Sequence, residues 1–381
     1  MIYSIGDNIV SPLGWTSAEN WEAVVRGDSG LAYHDDLFQL PEPFYGAHLC
    51  DELLQQRFSQ LIGNQKYTKC EKMAVLSIAD AVSRAKIAPG SPDVIFIFST
   101  TKGNVSLLED LQGYEPQRPY LWRMAEVVTA HFGNPNRPVV VSNACISGCA
   151  AQIVAARMLA SGRYRYAVVC GVDALSKFII SGFQSFKALS PEHCRPFDAE
   201  RVGLNLGEAA ATIVYAAAEQ SCSWMMLSGA ICNDANHISA PSRTAEGLVK
   251  ASEQAFNEIE NIDLQQIAFV NAHGTATRYN DDMESVAMQR LAMSDVPINS
   301  LKGYFGHTLG AAGVLETIIS ACEVNEGKIL PTVGCQTPGT IAPLNVVQKL
   351  LPTDKSLFFK MISGFGGSNA AVLFAKPKTT F

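Results

Sequence analysis

Three residues in this chain have types and settings that suit chemistry. Cys145 stands in VSNACISGCA, where a β-branched run gives way to a turn of small residues. His273 follows an apolar run in IAFVNAHGTATRYNDDMES, and His307 lies in INSLKGYFGHTLGAAG with Lys302 five residues before it. One soft nucleophile and two imidazoles make a set for covalent catalysis, in which sulfur takes a group and the rings move protons or stabilise developing charge. Each alone has an ordinary reading: a cysteine in a Gly/Ser turn packs as a small hydrophobe, and a lone histidine is commonly structural. Together they carry more weight, because each sits at the end of a strand or the mouth of a helix, where rigid elements hold reacting groups still.

The segment after Cys145 is apolar or small from Ile146 to Leu159, interrupted by Gln152 and Arg157. A helix apolar on most faces belongs inside a protein. Its N-terminus carries free N–H groups and partial positive charge, so Cys145 is expected to ionise more readily than a free thiol of pKa ~8.5. Cys149, one turn further in, is expected only to pack.

Short runs such as DVIFIFST, RPVVVSNA, YAVVCGVDA, AATIVYA, IAFVNAH, LFFKMIS and AAVLFA read as strands. Between them, CEKMAVLSIADAVSRA and TAEGLVKASEQAFNEIE place apolar residues at helical spacing. That alternation predicts an α/β fold. A weak internal echo adds to it. VSNACISGCAAQIVAARMLASG and FGHTLGAAGVLETIISACEVNEG follow one plan, with His307 where the first has Cys145. GEAAATIVYA and GSNAAVLFA repeat a second plan, a small-residue turn and a strand. Two similar halves, 1–220 and 221–381, packed face to face would bring both helix mouths to one site.

The 381 residues suffice for a substantial core, and 48% apolar against 17% charged reads as globular. The formal charge of −7 offers no general attraction for nucleic acid or an anionic membrane. Ten cysteines show no C-x-x-C pair and no cluster with histidine, so no metal site is expected. Several lie inside apolar runs, and a reduced, cytoplasmic protein is the expectation. The opening MIYSIGDNIVSPLG lacks the basic and long apolar regions of a signal peptide, and no run approaches the ~18 apolar residues of a membrane span.

NACISG around Cys145, CRPFDAERVGLNLGEAA, NAHGTAT, LKGYFGHTLGAAG and GFGGSNA come in an order and spacing that resembles the β-ketoacyl-[acyl-carrier-protein] synthases, in the branch with a Cys-His-His triad. The resemblance runs from IGDNIVSPLG to GFGGSNAAVLF. It implies a thiolase fold, two similar halves forming a five-layer αβαβα sandwich. It also implies decarboxylative Claisen condensation of malonyl-ACP with an acyl chain on Cys145. His273 and His307 would stabilise the enolate, and the backbone N–H groups of Cys145 and Phe365 would hold the acyl oxygen. Lys302 and Glu284 would be a pair ordering the site, and Thr275 and Thr277 would meet a pantetheine arm. No cofactor is implied beyond the phosphopantetheine that arrives on the carrier protein. A second catalytic cysteine, as in degradative thiolases, is not matched at Cys322 or Cys335, and the branch that starts from acyl-coenzyme A would show Asn in place of His307. The alternative is a non-catalytic chain-length-factor subunit, which would usually lack the nucleophile. Relatives are homodimers or pair with a homologous subunit.

Departures from the family pattern carry their own expectations. GEAAA and HGTAT replace GEGAG and HGTGT, adding only methyl groups. Ser363 replaces a phenylalanine of the gating loop, so Phe365 is expected to gate alone. The segment between FIFSTTKGN and VVVSNA is short for the family, which together with Ser363 tilts the substrate from primary fatty-acid elongation toward polyene or polyketide chains. Asn271 and Glu316 match two structural cation ligands of the family, but Lys360 and Met361 stand where others belong, so no cation is expected. Lys66 and Lys69, with Lys72 at helical spacing, are expected to form a landing patch for an acidic carrier protein.

Overall fold

The apolar runs pair as strands. In the computed structural model, which describes residues 1–219, 221–260 and 263–377, ten strands among those residues share one sheet. The strands are β1 (Ile2–Val10), β2 (Val94–Ser99), β3 (Val139–Val141), β4 (Tyr166–Asp173), β5 (Ala209–Ala216), β6 (Trp224–Asn233), β7 (Ile267–Asn271), β8 (Ile298–Asn299), β9 (Leu357–Gly364) and β10 (Ser368–Ala375). Their order is β8-β7-β9-β10-β6-β1-β5-β4-β2-β3. The first half runs 1-5-4-2-3 and the second 6-10-9-7-8, with the same sequence of parallel and antiparallel pairings. The halves join where Ile2–Ser4 of β1 pairs with Trp224–Met226 of β6. The echo in the sequence is therefore a repeat of topology. Neither joining strand stood out in the sequence, because IYSIGDNIV and WMMLSGAICN mix Gly, Ser and Asn with their apolar residues.

Five helices supply the other layers: α1 (Lys69–Ala85), α2 (Ser147–Ala160), α3 (Glu246–Asn257), α4 (Arg278–Arg290) and α5 (Ala312–Glu326). Outside one half α1 packs on β1, β4 and β5, while outside the other α3 packs on β6, β9 and β10 with α4 beside it. Between the halves α2 and α5 lie against each other and reach strands of both. The layers are thus helix, sheet, helix, sheet, helix, the five-layer sandwich of two similar halves that the resemblance implies.

The inner helices are apolar all round because both faces are covered. Gln152, the polar break noticed in α2, is buried and satisfied: its Nε2 donates to the carbonyl of Gly313 at 3.0 Å, and its Oε1 accepts from the Tyr215 hydroxyl at 2.7 Å. At the crossing of α2 and α5, Gly148 and Gly313 meet backbone to backbone. A Cβ on Gly148 would lie 2.8 Å from the Val314 nitrogen, and one on Gly313 would lie 2.5 Å from the Cys149 nitrogen. Glycine is what permits that approach.

A capping box starts α1, with Thr68 accepting from the Glu71 N–H and the Glu71 carboxylate accepting from the Thr68 N–H. The same buried carboxylate takes both arms of Arg118, at 2.7 and 2.8 Å, and so fastens the short segment between β2 and β3 to α1. Lys66 precedes the cap, so the helical spacing expected of Lys66, Lys69 and Lys72 holds only for the last two.

Candidate active site

Strand β3 delivers the chain to a tight turn ahead of α2, and Cys145 sits at its top. Ala144 has φ 45°, in the left-handed region, and the turn is fixed by Ser147, whose Oγ donates to the Ala144 carbonyl and accepts from the Asn143 N–H. Across from it, the end of β9 passes so close that a Cβ on Gly364 would lie 3.0 Å from the Cys145 nitrogen. His307 Nε2 lies 2.9 Å from Cys145 Sγ. Its Nδ1 accepts from the Leu309 N–H at 3.3 Å, so the ring proton is on Nε2, facing the sulfur. The His273 ring stands edge to face with that of His307, centroids 5.0 Å apart at 82°. All three residues are buried, with their chemically active atoms within 4.8 Å of one another.

Burial decides the electrostatics. It pushes the Cys145 thiol up to about 11, against the opposing pull of Lys302, Lys102 and the Phe365 N–H. The expectation of a readily ionised thiol is corrected: desolvation outweighs the pull of Lys302, Lys102 and the Phe365 N–H. Burial, Lys302 and Lys360 hold both imidazoles well below their ordinary value, and His307 adds to the effect on His273. At neutral pH the site is a thiol and two uncharged rings. Sulfur and two nitrogens could in principle hold a metal. The 2.9 Å separation of Sγ and Nε2, however, is a hydrogen bond, shorter than the ~3.5 Å between such donors around tetrahedral zinc.

Glu284, on α4, receives the N–H groups of His273 and Gly274 at 2.7 Å each and fixes the turn that presents the imidazole. Burial and the neighbouring Asp281 raise it to about 7, against those same two amides. Lys302 does not pair with it. Its ammonium turns instead to Glu316 on α5, which Lys360 also meets at 2.8 Å. Burial alone would raise Glu316, but the two ammonium groups hold it below the ordinary value. The expected Lys302–Glu284 pair is thus two separate devices: Glu284 holds the turn of His273, while Lys302, paired with Glu316, acts on both imidazoles.

Two positioning carboxylates escaped sequence reading. Asp173, at the end of β4, accepts from the Thr100 and Thr101 hydroxyls and from the N–H groups of Thr101, Lys102 and Gly310, tying the loop after β2 to the turn after His307. Glu208 accepts from the Leu49 and Leu175 N–H groups and pairs with Lys69 at 2.6 Å. The available signal was an acid at the edge of an apolar run, in VVCGVDA and in GEAAATIVYA.

The triad opens into a cavity of about 430 Å3 that Thr275 and Thr277 also line. Their hydroxyls lie 2.8 Å apart. Phe365 stands at the mouth, but not alone: Phe183 stacks on it at 6.1 Å and Phe186 meets it edge-on at 6.1 Å. Both come from the helix Lys177–Ser185 and its end. The carrier-protein patch is also corrected. Lys69 is held by Glu208, Asp51, His48 and the Leu49 carbonyl. Lys66 remains at the surface, its ammonium over the Tyr114 ring.

A buried thiol beside paired neutral imidazoles, set where two repeated halves of a thiolase fold cross, is an arrangement suited to covalent acyl chemistry. Residues 1–221 match the β-ketoacyl synthase N-terminal domain and residues 225–336 the C-terminal domain. The chain belongs to the β-ketoacyl synthase family, acyltransferases that form carbon–carbon bonds. It is 26% identical over 408 residues to 3-oxoacyl-[acyl-carrier-protein] synthase 2 of Staphylococcus aureus (strain COL), covering 97% of each chain. The Synechocystis protein of the same name is 26% identical over 411 residues, again covering 97% of each. Among solved structures, the ishigamide ketosynthase/chain length factor superposes with a TM-score of 0.86 at 24% identity over 98% of each chain. The ketosynthase ApeO in complex with its chain length factor ApeC, from Xenorhabdus doucetiae, gives 0.85 at 22% over 98% of each.

Proposed function

We propose that this chain catalyses decarboxylative Claisen condensation between malonyl-ACP and an acyl chain held on Cys145. The observation that carries the reading is the contact of Cys145 Sγ with a His307 ring whose proton is held on Nε2, with His273 beside it. In the first step sulfur attacks the donor thioester, and its proton leaves with the pantetheine thiol. In the second, the bond from malonyl to its carboxylate breaks, carbon dioxide departs, and the electron pair becomes an enolate. Its oxygen is stabilised by neutral N–H donors, which favour developing negative charge. The enolate carbon then attacks the acyl carbonyl. The N–H groups of Cys145 and Phe365 hold that oxygen until the C–S bond breaks and a thiolate leaves, which takes one proton from solvent as the product departs and so restores the thiol. Burial keeps water from quenching the carbanion.

The two halves, 1–220 and 221–381, contribute the nucleophile and the histidines respectively. The phosphopantetheine arrives on the acyl carrier protein, whose arm Thr275 and Thr277 would receive. We read the setting as cytoplasmic and the working form as a homodimer or a pair with a homologous subunit, such as the chain length factors of the solved relatives. Among the described residues no helix is long and apolar enough to cross a membrane. The aromatic trio at the cavity mouth favours flat, unsaturated or aryl chains, a specialised pathway over primary fatty-acid elongation. Intact-protein and Cys145-peptide mass spectrometry, after incubation with a panel of acyl carrier proteins and acyl-coenzymes A, tests all of this. Acylation of Cys145 by unsaturated or aryl chains is expected. Saturated chains alone would return the protein to fatty-acid elongation. No adduct from any donor, with a homologous subunit supplied, would leave the non-catalytic chain-length-factor role.

A further inference from the structure

Lys360 is wholly buried on β9, where an ammonium needs a full set of acceptors. It finds the main-chain carbonyls of Met361 at 3.0 Å, Ala272 at 3.2 Å and Asn271 at 3.4 Å, and the Glu316 carboxylate at 2.8 Å. Carbonyl and carboxylate oxygens are what hard cations take. The side-chain oxygen of Asn271 is buried as well, without a hydrogen-bond partner among the described residues. The elements that converge here are the ones that carry the site. Ala272 directly precedes His273. Glu316 shares its carboxylate between Lys360 and Lys302, and Lys302 opens the short segment Lys302–Phe305 that leads to His307.

We propose that Lys360 is a positioning residue whose tethered ammonium replaces a bound monovalent cation. It ties the strand end bearing His273 to the Glu316–Lys302 arm that opens the segment leading to His307, and so fixes one imidazole against the other. A tethered charge cannot dissociate, so the histidine geometry is independent of the salts present. Burial first and Lys302 next lower the basicity of both imidazoles, and Lys360 adds to the same direction. The inference rests on the condensing role proposed for the two histidines.

Lys360→Met keeps most of the aliphatic stem and removes the charge. Its vacated oxygen cage should accept potassium, which is close to ammonium in size, better than lithium. Wild type and variant are prepared in choline chloride and titrated with potassium, sodium or lithium chloride, following melting temperature and malonyl-ACP decarboxylation. Wild type is expected to be indifferent to the ion. The variant in choline should lose kcat roughly ten- to hundredfold, the scale of small misplacements, with KM little changed. Potassium should raise its melting temperature and restore at least half of the lost rate. Three outcomes overturn the proposal: a wild type that depends on the ion, a variant at full rate in choline, or a variant that no ion rescues. A variant insoluble in choline but folded in potassium supports it, and one insoluble in every salt refutes it. If wild type decarboxylates nothing, the functional reading falls, while ion-dependent melting of the variant still decides the cage.

Discussion

Raising the pH from about 7 to about 10 should speed alkylation of Cys145 about tenfold per unit, with no plateau, because only the thiolate reacts. The magnitude follows from burial, which lifts this thiol to about 11. At pH 8 roughly one part in a thousand is then ionised, against about a quarter of a free thiol of pKa ~8.5. That deficit of ~250-fold is partly offset, since a Brønsted slope of ~0.4–0.5 over ~2.5 units returns about 10- to 20-fold in nucleophilicity. Cys145 should therefore react about 10- to 25-fold more slowly than free cysteine at pH 8. The assay is peptide-resolved mass spectrometry after timed exposure to iodoacetamide, with native fold checked at each pH. Cys149, buried behind it, serves as an internal control. Access scales the absolute rate but not the slope. A plateau below about pH 9 would refute the reasoning and show that the helix terminus and nearby ammonium groups outweigh desolvation.

Glu323 offers a stability test. Burial raises it to about 8, above its unfolded value, so the folded state holds the proton more tightly and stability is lost as pH climbs through that range. Glu323→Gln should match wild type near pH 5 and exceed it by on the order of 3 kcal/mol at pH 8, read by denaturant titration; an equal margin at both would refute it. Lys69→Glu sets a second carboxylate against buried Glu208 and should cost about 3–5 kcal/mol. Lys66→Glu should leave stability unchanged and raise KM for an acyl carrier protein several-fold, whereas an unaltered KM removes Lys66 from the docking surface. Gly313→Ala crowds the helix crossing and should destabilise by about 1–3 kcal/mol, with condensation falling further than malonyl decarboxylation because Cys145 and His307 move apart.

The elements were legible wherever local pattern and burial agree. YAVVCGVDA and AATIVYA are strands because both faces are covered, and the motif-bearing turns at Cys145, His273 and His307 converge as the family resemblance implied. What stayed hidden depends on contacts across long stretches of chain. Lys69 looks like a solvated cation until Glu208 arrives beside it. Phe183 and Phe186 read as ordinary helix residues until the C-terminal loop brings Phe365 between them. The ionisation of Cys145 depends on how much protein surrounds it, which a helix-terminus argument does not count. In the sequence Lys302 and Glu284 read as one pair, but only the fold shows that Lys302 meets Glu316 while Glu284 holds the turn of His273.

The meeting of Gly148 with Gly313 has a consequence for how such a protein changes over time. Cys145 precedes one of the touching helices and His307 the other, so the reach from sulfur to nitrogen is gauged by main chain pressed on main chain. No side chain stands between them whose replacement could lengthen or shorten that reach by degrees. The helix carrying Phe183 and the loops carrying Thr275 and Phe365 can drift and admit new acyl groups while the bond-forming geometry is inherited intact. Selectivity and reactivity are therefore separately heritable in this chain.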